Sequence, residues 1–297
     1  MKTIWVTGAA GFSGQHLLAW LDANDADAKV IPIARQGTDT EIVVADVSDF
    51  DRMRELAQRE PPDEVYHLAG AMPPADAATM WASFVQSTWS LMRAIDEADC
   101  EGTRILIAGS AAEYLPGDGS PIIETHPIGG FSPYGLAKAA QVQLALRAGE
   151  CFGQDVVVGR TFNLVGPGMS RSFVLGEICA QLAEGTDALK LGRTDAERDF
   201  IDIRDAVAAY GALMASNASG EAFNVCSGTA TSIRQLVDLA VAATGTAVSV
   251  ESESDRLRSN DFDRVIGNPE KLRQLTGWSP AISLETAVAD TVASFRP

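Results

Sequence analysis

Thr3-Ile4-Trp5-Val6-Thr7-Gly8-Ala9-Ala10-Gly11-Phe12-Ser13-Gly14 decides how the chain is read. Five strand-favouring residues run straight into three glycines spaced three apart, and an amphipathic segment beginning at Gly14 follows. Glycines permit a tight turn and a close approach of backbone to an anion, and a helix N-terminus favours negative charge. Glycine turns alone are common. Between a first strand and a first helix, this one predicts a nucleotide-binding turn built from Gly8, Gly11, Phe12, Ser13 and Gly14.

Outward from that turn, short apolar runs alternate with longer amphipathic segments. Strands are predicted at Thr3–Thr7, Val30–Ala34, Ile42–Ala45, Glu64–Leu68, Arg104–Gly109 and Val156–Arg160. Helices are predicted between most of them, as at Gly14–Ala23 and Asp49–Gln58. This alternation implies an α/β fold, a Rossmann doubly wound parallel sheet covered on both faces. Helical spacing also marks two central stripes, Trp81/Phe84/Val85/Thr88/Leu91/Met92/Ile95 and Leu136/Ala140/Leu144/Ala148, both read as core. After Gly166-Pro167-Gly168 the strands become shorter and irregular, although a capping box at Ser232 and Gln235 opens a helix over Ser232–Ala243. The expected organisation is a dinucleotide-binding domain over residues 1–165 plus roughly 196–222. A smaller α/β lobe would take roughly 166–195 and 223–297 and close over the end of the sheet.

Composition narrows the function. The 297 residues are 46% hydrophobic and 21% charged, enough for a substantial core. No run of about eighteen apolar residues suggests a membrane span. The N-terminus enters a strand without the apolar segment of a signal peptide, so a cytoplasmic protein is expected. Cys100, Cys151, Cys179 and Cys226 are scattered, which suits free thiols in a reducing compartment. His16, His67 and His126 are isolated, and no metal site is expected. A net charge of −17 disfavours a phosphate backbone as partner but leaves room for a small anion in a locally basic cleft.

Three residues are candidates for chemistry. Tyr134 and Lys138 lie four apart at the start of a predicted helix and so share one face. Ser110 ends an apolar strand, where open parallel sheets present their ligands. Free tyrosine titrates at about 10, too high for a good proton shuttle, and a neighbouring lysine cation is expected to lower that value. The second strand ends Ile33-Ala34-Arg35, without the carboxylate that usually grips the ribose of NAD. Arg35 could pair with a 2′-phosphate, which favours NADP(H) and leaves NAD(H) possible; it could also be an exposed arginine at a strand end.

Together the glycine turn, Ser110 and Tyr134-x-x-x-Lys138 resemble the extended short-chain dehydrogenases/reductases of the NAD-dependent epimerase/dehydratase family. The resemblance covers nearly the whole chain. It continues through Arg160-Thr161-Phe162-Asn163-Leu164-Val165-Gly166-Pro167-Gly168, Arg198-Asp199-Phe200-Ile201-Asp202-Ile203-Arg204-Asp205, Phe223-Asn224-Val225-Cys226-Ser227-Gly228 and Gly277-Trp278-Ser279-Pro280. It implies an enzyme in which Tyr134 is the acid, Lys138 tunes it and holds the nicotinamide ribose, and Ser110 binds the substrate oxygen. It implies cofactor contacts at Asp46, Val47, Leu68 and Ala69. Asn163, Arg198 and Arg258 would bind a nucleotide-sugar substrate in the smaller lobe, arginine suiting phosphate through paired donors. A homodimer through the two central helices is also implied.

One short segment bears on reaction type. Dehydratases of this family carry an acid two positions after the strand-end Ser/Thr. Here Ser110-Ala111-Ala112-Glu113 puts a methyl group there, and Glu113, one position late, is expected to point elsewhere. The remaining wording most resembles GDP-4-keto-6-deoxy-mannose reductases. A 4-epimerase of the UDP-hexose type with retained NAD is the alternative. A non-enzymatic NADP(H) sensor fits less well, because such proteins usually lose the tyrosine or lysine. Phe84 stands where the family usually has asparagine, and the loop Ala71–Met80 looks short.

Overall fold

A computed structural model describes residues 1–37, 42–72, 74–246, 248–252 and 262–296. In chain order the first half comprises β1 (Thr3–Thr7), α1 (Phe12–Asn24), β2 (Lys29–Ala34), β3 (Val43–Val44), α2 (Phe50–Arg59), β4 (Glu64–His67), α3 (Ala77–Trp81), a π turn (Ala82–Gln86), α4 (Ser87–Glu97), β5 (Arg104–Ser110), a 3₁₀ turn (Ala111–Glu113) and α5 (Pro133–Phe152). There follow β6 (Asp155–Thr161), β7 (Asn163–Val165), α6 (Val174–Ala183), β8 (Ala188–Leu191), β9 (Glu197–Arg198), β10 (Phe200–Asp202), α7 (Ile203–Ala215) and β11 (Glu221–Val225). The chain ends with β12 (Thr231–Ser232), α8 (Ile233–Thr244), β13 (Ser249–Ser252), β14 (Arg264–Val265), α9 (Glu270–Thr276) and α10 (Leu284–Ser294). Each predicted strand of the first half is present, β1 with the predicted bounds and the others with ends shifted by at most one residue.

Seven strands form one sheet in the order β11-β6-β5-β4-β1-β2-β3, every pair parallel. The order reverses beside β1, the place where doubly wound sheets open a crevice at their carboxyl ends. Side chains alternate across each strand. Ile4, Val6, Leu106 and Val157 therefore face one core with α1 and α7, while Trp5, Ile105, Ile107 and Val158 face another with α2, α4 and α5. A third core joins Leu175 and Ile178 of α6, Leu236 of α8 and Val288 of α10 to Leu189 and Phe200. β11 completes the main sheet, and Leu272 of α9 packs into its core.

Two stripes differ from expectation. The central helix bearing Trp81 is interrupted by the π turn. Phe84, Thr88, Leu91, Met92 and Ile95 are buried, but Trp81 is 48% exposed. On α5 the buried face is Ala137, Lys138, Gln141, Val142, Ala145 and Ala148, whereas Leu136 is 55% exposed. The predicted phase was off by one residue because α5 buries mostly small and polar side chains, which a hydrophobic pattern does not register.

Leu106 is fully buried between β4 and β6. Leu106→Ala should cost about 2–5 kcal/mol of stability, read as a lower urea midpoint at unchanged slope.

Candidate active site

The glycine turn has the tight geometry that its sequence suggests. Gly8 leaves β1 at φ +71°, and a Cβ there would lie 2.9 Å from both Ala69 N and Leu68 C. Only glycine lets the ends of β1 and β4 approach this closely. Gly11 N donates to Gly8 O at 2.9 Å, and Gly11 is the N-cap of α1, where no side chain caps the helix. Phe12, Ser13 and Gly14 form the first turn. A helix start left without a side-chain acceptor, behind a glycine turn at the carboxyl edge of the sheet, fits the pyrophosphate of a dinucleotide. Nearby, Arg35 is exposed one residue beyond β2. Asp46 is exposed and accepts from Ser48 N (2.9 Å) and Ser48 Oγ (2.7 Å), while Val47 is buried. Leu68 and Ala69 are half-buried at the end of β4.

Ser110, Tyr134 and Lys138 come together at the carboxyl end of β5. Ser132 caps α5 by accepting from Gly135 N at 3.0 Å, and Pro133 is the first helical residue. Tyr134 and Lys138 thus sit one turn apart at the helix start. Gly135 allows α5 to close on the turn after β5, since a Cβ there would lie 2.3 Å from Ala112 O. Ser110 Oγ accepts from Ala112 N at 3.2 Å, which leaves its proton to donate. The Lys138 ammonium donates to Ala108 O at 2.7 Å and to Gln141 Oε1 at 3.0 Å, and lies 4.3 Å from the centroid of the Phe84 ring. Phe84 also meets Tyr134 edge to face, with centroids 5.6 Å apart.

The electrostatics depart from the expected tyrosine–lysine coupling. Burial pushes the Tyr134 phenol up to about 12, hydrogen bonding from Ser110 opposes the rise, and the charge of Glu113 adds to it. Lys138, whose hydrogen bonds go to oxygens other than the phenol's, is itself lowered to about 8 by burial, against the attraction of Glu113. Tyr134 is therefore a neutral acid near pH 7, and Lys138 remains largely an ammonium. Glu113 points away from the crevice. Oε1 accepts from Ser110 N (2.6 Å) and Oε2 from Arg160 Nε (2.7 Å), with the whole side chain buried.

The residues expected on the substrate side lie around Asp199. Asn163 N and Nδ2 both donate to Asp199 O, at 3.0 and 2.9 Å. The buried Asp199 carboxylate accepts from Ser227 N, Ser227 Oγ, Gly228 N and Gly267 N. Arg198 Nη1 donates to Glu197 O (2.8 Å) and Phe262 O (2.9 Å). Asn163 is two residues past Thr161, the sheet partner of Ser110, so it lies just beyond the end of β6 beside the end of β5. Arg258 lies outside the described residues. All four cysteines are free thiols. Among the described residues there is no cluster of metal-ligating side chains and no helix long and apolar enough to cross a membrane.

Sequence reasoning did not select His67, Thr88 and Gln141, three fully buried polar residues in the chain of hydrogen bonds behind Lys138. The available signal was a glutamine on the lysine's own helical face.

The doubly wound sheet, the glycine turn and the Ser110–Tyr134–Lys138 group define an enzyme of the extended short-chain dehydrogenase/reductase type, dependent on a nicotinamide dinucleotide. The chain belongs to the GDP-mannose 4,6 dehydratase family, whose model matches residues 5–291. It is 32% identical to the GDP-6-deoxy-D-mannose reductase of Pseudomonas aeruginosa, over 97% of this chain and 95% of that protein. It is 28% identical to a UDP-glucose 4-epimerase of Mycolicibacterium smegmatis, over 100% of this chain and 99% of that protein. The structure of RMD from Pseudomonas aeruginosa complexed with NADPH matches with a TM-score of 0.87 at 29% identity, covering 99% of each chain.

Burial lowers His67 to about 3, with the Lys138 charge adding to the effect. The folded state then binds fewer protons than the unfolded one below about pH 6.5. His67 consequently makes the protein lose about 1.4 kcal/mol per pH unit as pH falls through this range. Urea midpoints between pH 6.5 and 4 should drop more steeply in the wild type than in His67→Gln; parallel slopes would contradict a buried neutral imidazole.

Proposed function

We propose that this chain reduces a nucleotide-activated keto sugar with NADPH, acting as a GDP-4-keto-6-deoxy-mannose reductase. The observation that carries the reading is the convergence of Ser110, Tyr134 and Lys138 at the end of β5, with the methyl of Ala112 where a dehydratase needs its acid. Glu113 cannot substitute, because Arg160 and Ser110 N occupy its carboxylate. A nicotinamide dinucleotide, when bound, would supply the hydride for the reduction. Tyr134, protonated at neutral pH, gives its proton to the carbonyl oxygen as charge develops there. Ser110 donates a hydrogen bond to the same oxygen. Lys138, still largely charged at neutral pH, would support the nicotinamide ribose.

Gly8, Gly11, Phe12, Ser13 and Gly14 would hold the pyrophosphate, Arg35 a 2′-phosphate, Asp46 and Val47 the adenine, and Leu68 and Ala69 the inner wall of the cofactor site. The preference for NADP(H) is supported by Arg35, by the lack of an acid at the end of β2 and by the NADPH in the RMD structure. Asn163, Arg198 and Arg258 would hold the diphosphate and nucleotide in a substrate lobe of residues 166–195 and 223–297, less β11 and α9, which pack with the main sheet. The free thiols support a cytoplasmic setting. A homodimer is supported by Trp81, Trp89 and Leu136, left exposed on α3, α4 and α5; light scattering should give twice the chain mass of 31.4 kDa. A second reading, a 4-epimerase retaining NAD, draws on the epimerase of Mycolicibacterium smegmatis.

The purified protein should consume NADPH on addition of GDP-4-keto-6-deoxy-mannose, followed at the nicotinamide absorbance band. Tyr134→Phe should lower kcat about a hundredfold or more while NADPH binding persists. No consumption with any keto-sugar nucleotide would overturn the reductase reading. Tightly held NAD with no net cofactor use would favour the epimerase.

A further inference from the structure

Behind Lys138 runs a continuous line of buried hydrogen bonds whose donors can be assigned one by one. Thr88 Oγ1 donates to Phe84 O at 2.6 Å, which uses its only proton. The same oxygen must therefore accept from its two other neighbours, Gln141 Nε2 at 3.0 Å and His67 Nε2 at 2.9 Å. His67 then carries its proton on Nε2, and its Nδ1 accepts from Thr7 Oγ1 at 2.8 Å. Thr7 Oγ1 in turn accepts from Ala69 N at 3.2 Å. Because Gln141 Nε2 is committed to Thr88, the amide can turn only its oxygen toward Lys138.

The direction of these bonds matters. Protons point toward Thr88 from both ends, so the line cannot pass a proton from Lys138 to Thr7. It is a brace. The π turn contributes by placing the Phe84 carbonyl beneath Thr88 and the Phe84 ring over the ammonium, where a cation is favourably held.

We propose that Gln141 is the positioning residue for Lys138: locked by Thr88 and a neutral His67, its carbonyl oxygen fixes the ammonium at the end of β5 and keeps it charged. The proposal deepens the reductase reading and rests on it for its catalytic consequence. The other titratable or charged groups around the lysine are Glu113 on the turn after β5, Tyr134 on its own helix, His67 on β4, and Arg160 on β6, the last paired with Glu113. Of these only Glu113 stabilises the ammonium, and it does so without a hydrogen bond to it. A buried acceptor at 3.0 Å, beside the Ala108 carbonyl, should therefore have a measurable share in holding the charge.

The chain has five lysines, so their side-chain ¹³Cε resonances can be followed by NMR in the free enzyme across pH, with Lys138 assigned by its loss in Lys138→Arg. Wild-type Lys138 should titrate near 8. Gln141→Leu should lower that midpoint by about one unit, and Gln141→Glu should raise it. In turnover, Gln141→Leu should lower kcat about tenfold with little change in KM and move the alkaline limb of the pH profile downward. Gln141→Glu should recover part of the loss. If Gln141→Leu does not fold, Gln141→Met and Thr88→Val give the same readouts. An unchanged Lys138 midpoint in a folded variant overturns the proposal, as does a shifted midpoint with unchanged kcat. If the wild type turns over no keto sugar, the reductase reading fails, and the NMR midpoint alone decides the role of Gln141.

Discussion

An ammonium group taken out of water must be met by oxygens or by a counter-charge, and Lys138, 5% exposed, imposes that demand on the centre of this molecule. The end of β5 supplies a main-chain carbonyl, α5 supplies Gln141, and the π turn supplies an aromatic face. Behind these, Thr88, His67 and Thr7 tie α4, β4 and β1 to the same point. Each of those strands ends at the crevice where the sheet order reverses. The lysine is thus fixed relative to the glycine turn by the same bonds that satisfy buried polar groups, and tyrosine, serine and turn share one frame.

On the far side of Ser110 a second buried network does comparable work. Glu113 bridges Ser110 N and Arg160, Arg160 reaches Tyr114, and Tyr114 donates to Asn224 at 2.7 Å. This arrangement spends a carboxylate on holding the strand end and keeps it out of the crevice. With Ala112 inert beside it, the proposed site offers a proton donor and no free carboxylate. Reduction needs only the donor, which is why the reductase reading fits this member of a family whose model bears a dehydratase description.

The first half of the fold could be read in the sequence because buried parallel strands are apolar runs punctuated by glycine, and the β1–turn–α1 unit has few alternatives. That Ser110, Tyr134 and Lys138 would meet was legible because the spacing on α5 and the end of β5 agree. The phase of α5 was not, since its core face is alanine, glutamine and lysine, while Leu136 lies outward. The π turn was invisible, because one extra residue per turn leaves no compositional mark. The pull of Lys138 on Tyr134 was misjudged for a related reason: spacing puts two side chains on one face but does not say which oxygens the ammonium chooses. Phe84 is an oddity in the sequence, and only the fold brings its ring to the Lys138 ammonium.

Deuterium transfer tests the central claim most directly. With NADPH carrying deuterium at both positions of the reactive nicotinamide carbon and GDP-4-keto-6-deoxy-mannose as substrate, mass spectrometry of the product should find one deuterium on the sugar for each NADPH oxidised. A sugar that leaves unlabelled, or one altered with no NADPH oxidised, would contradict a site in which Tyr134 protonates what the cofactor reduces.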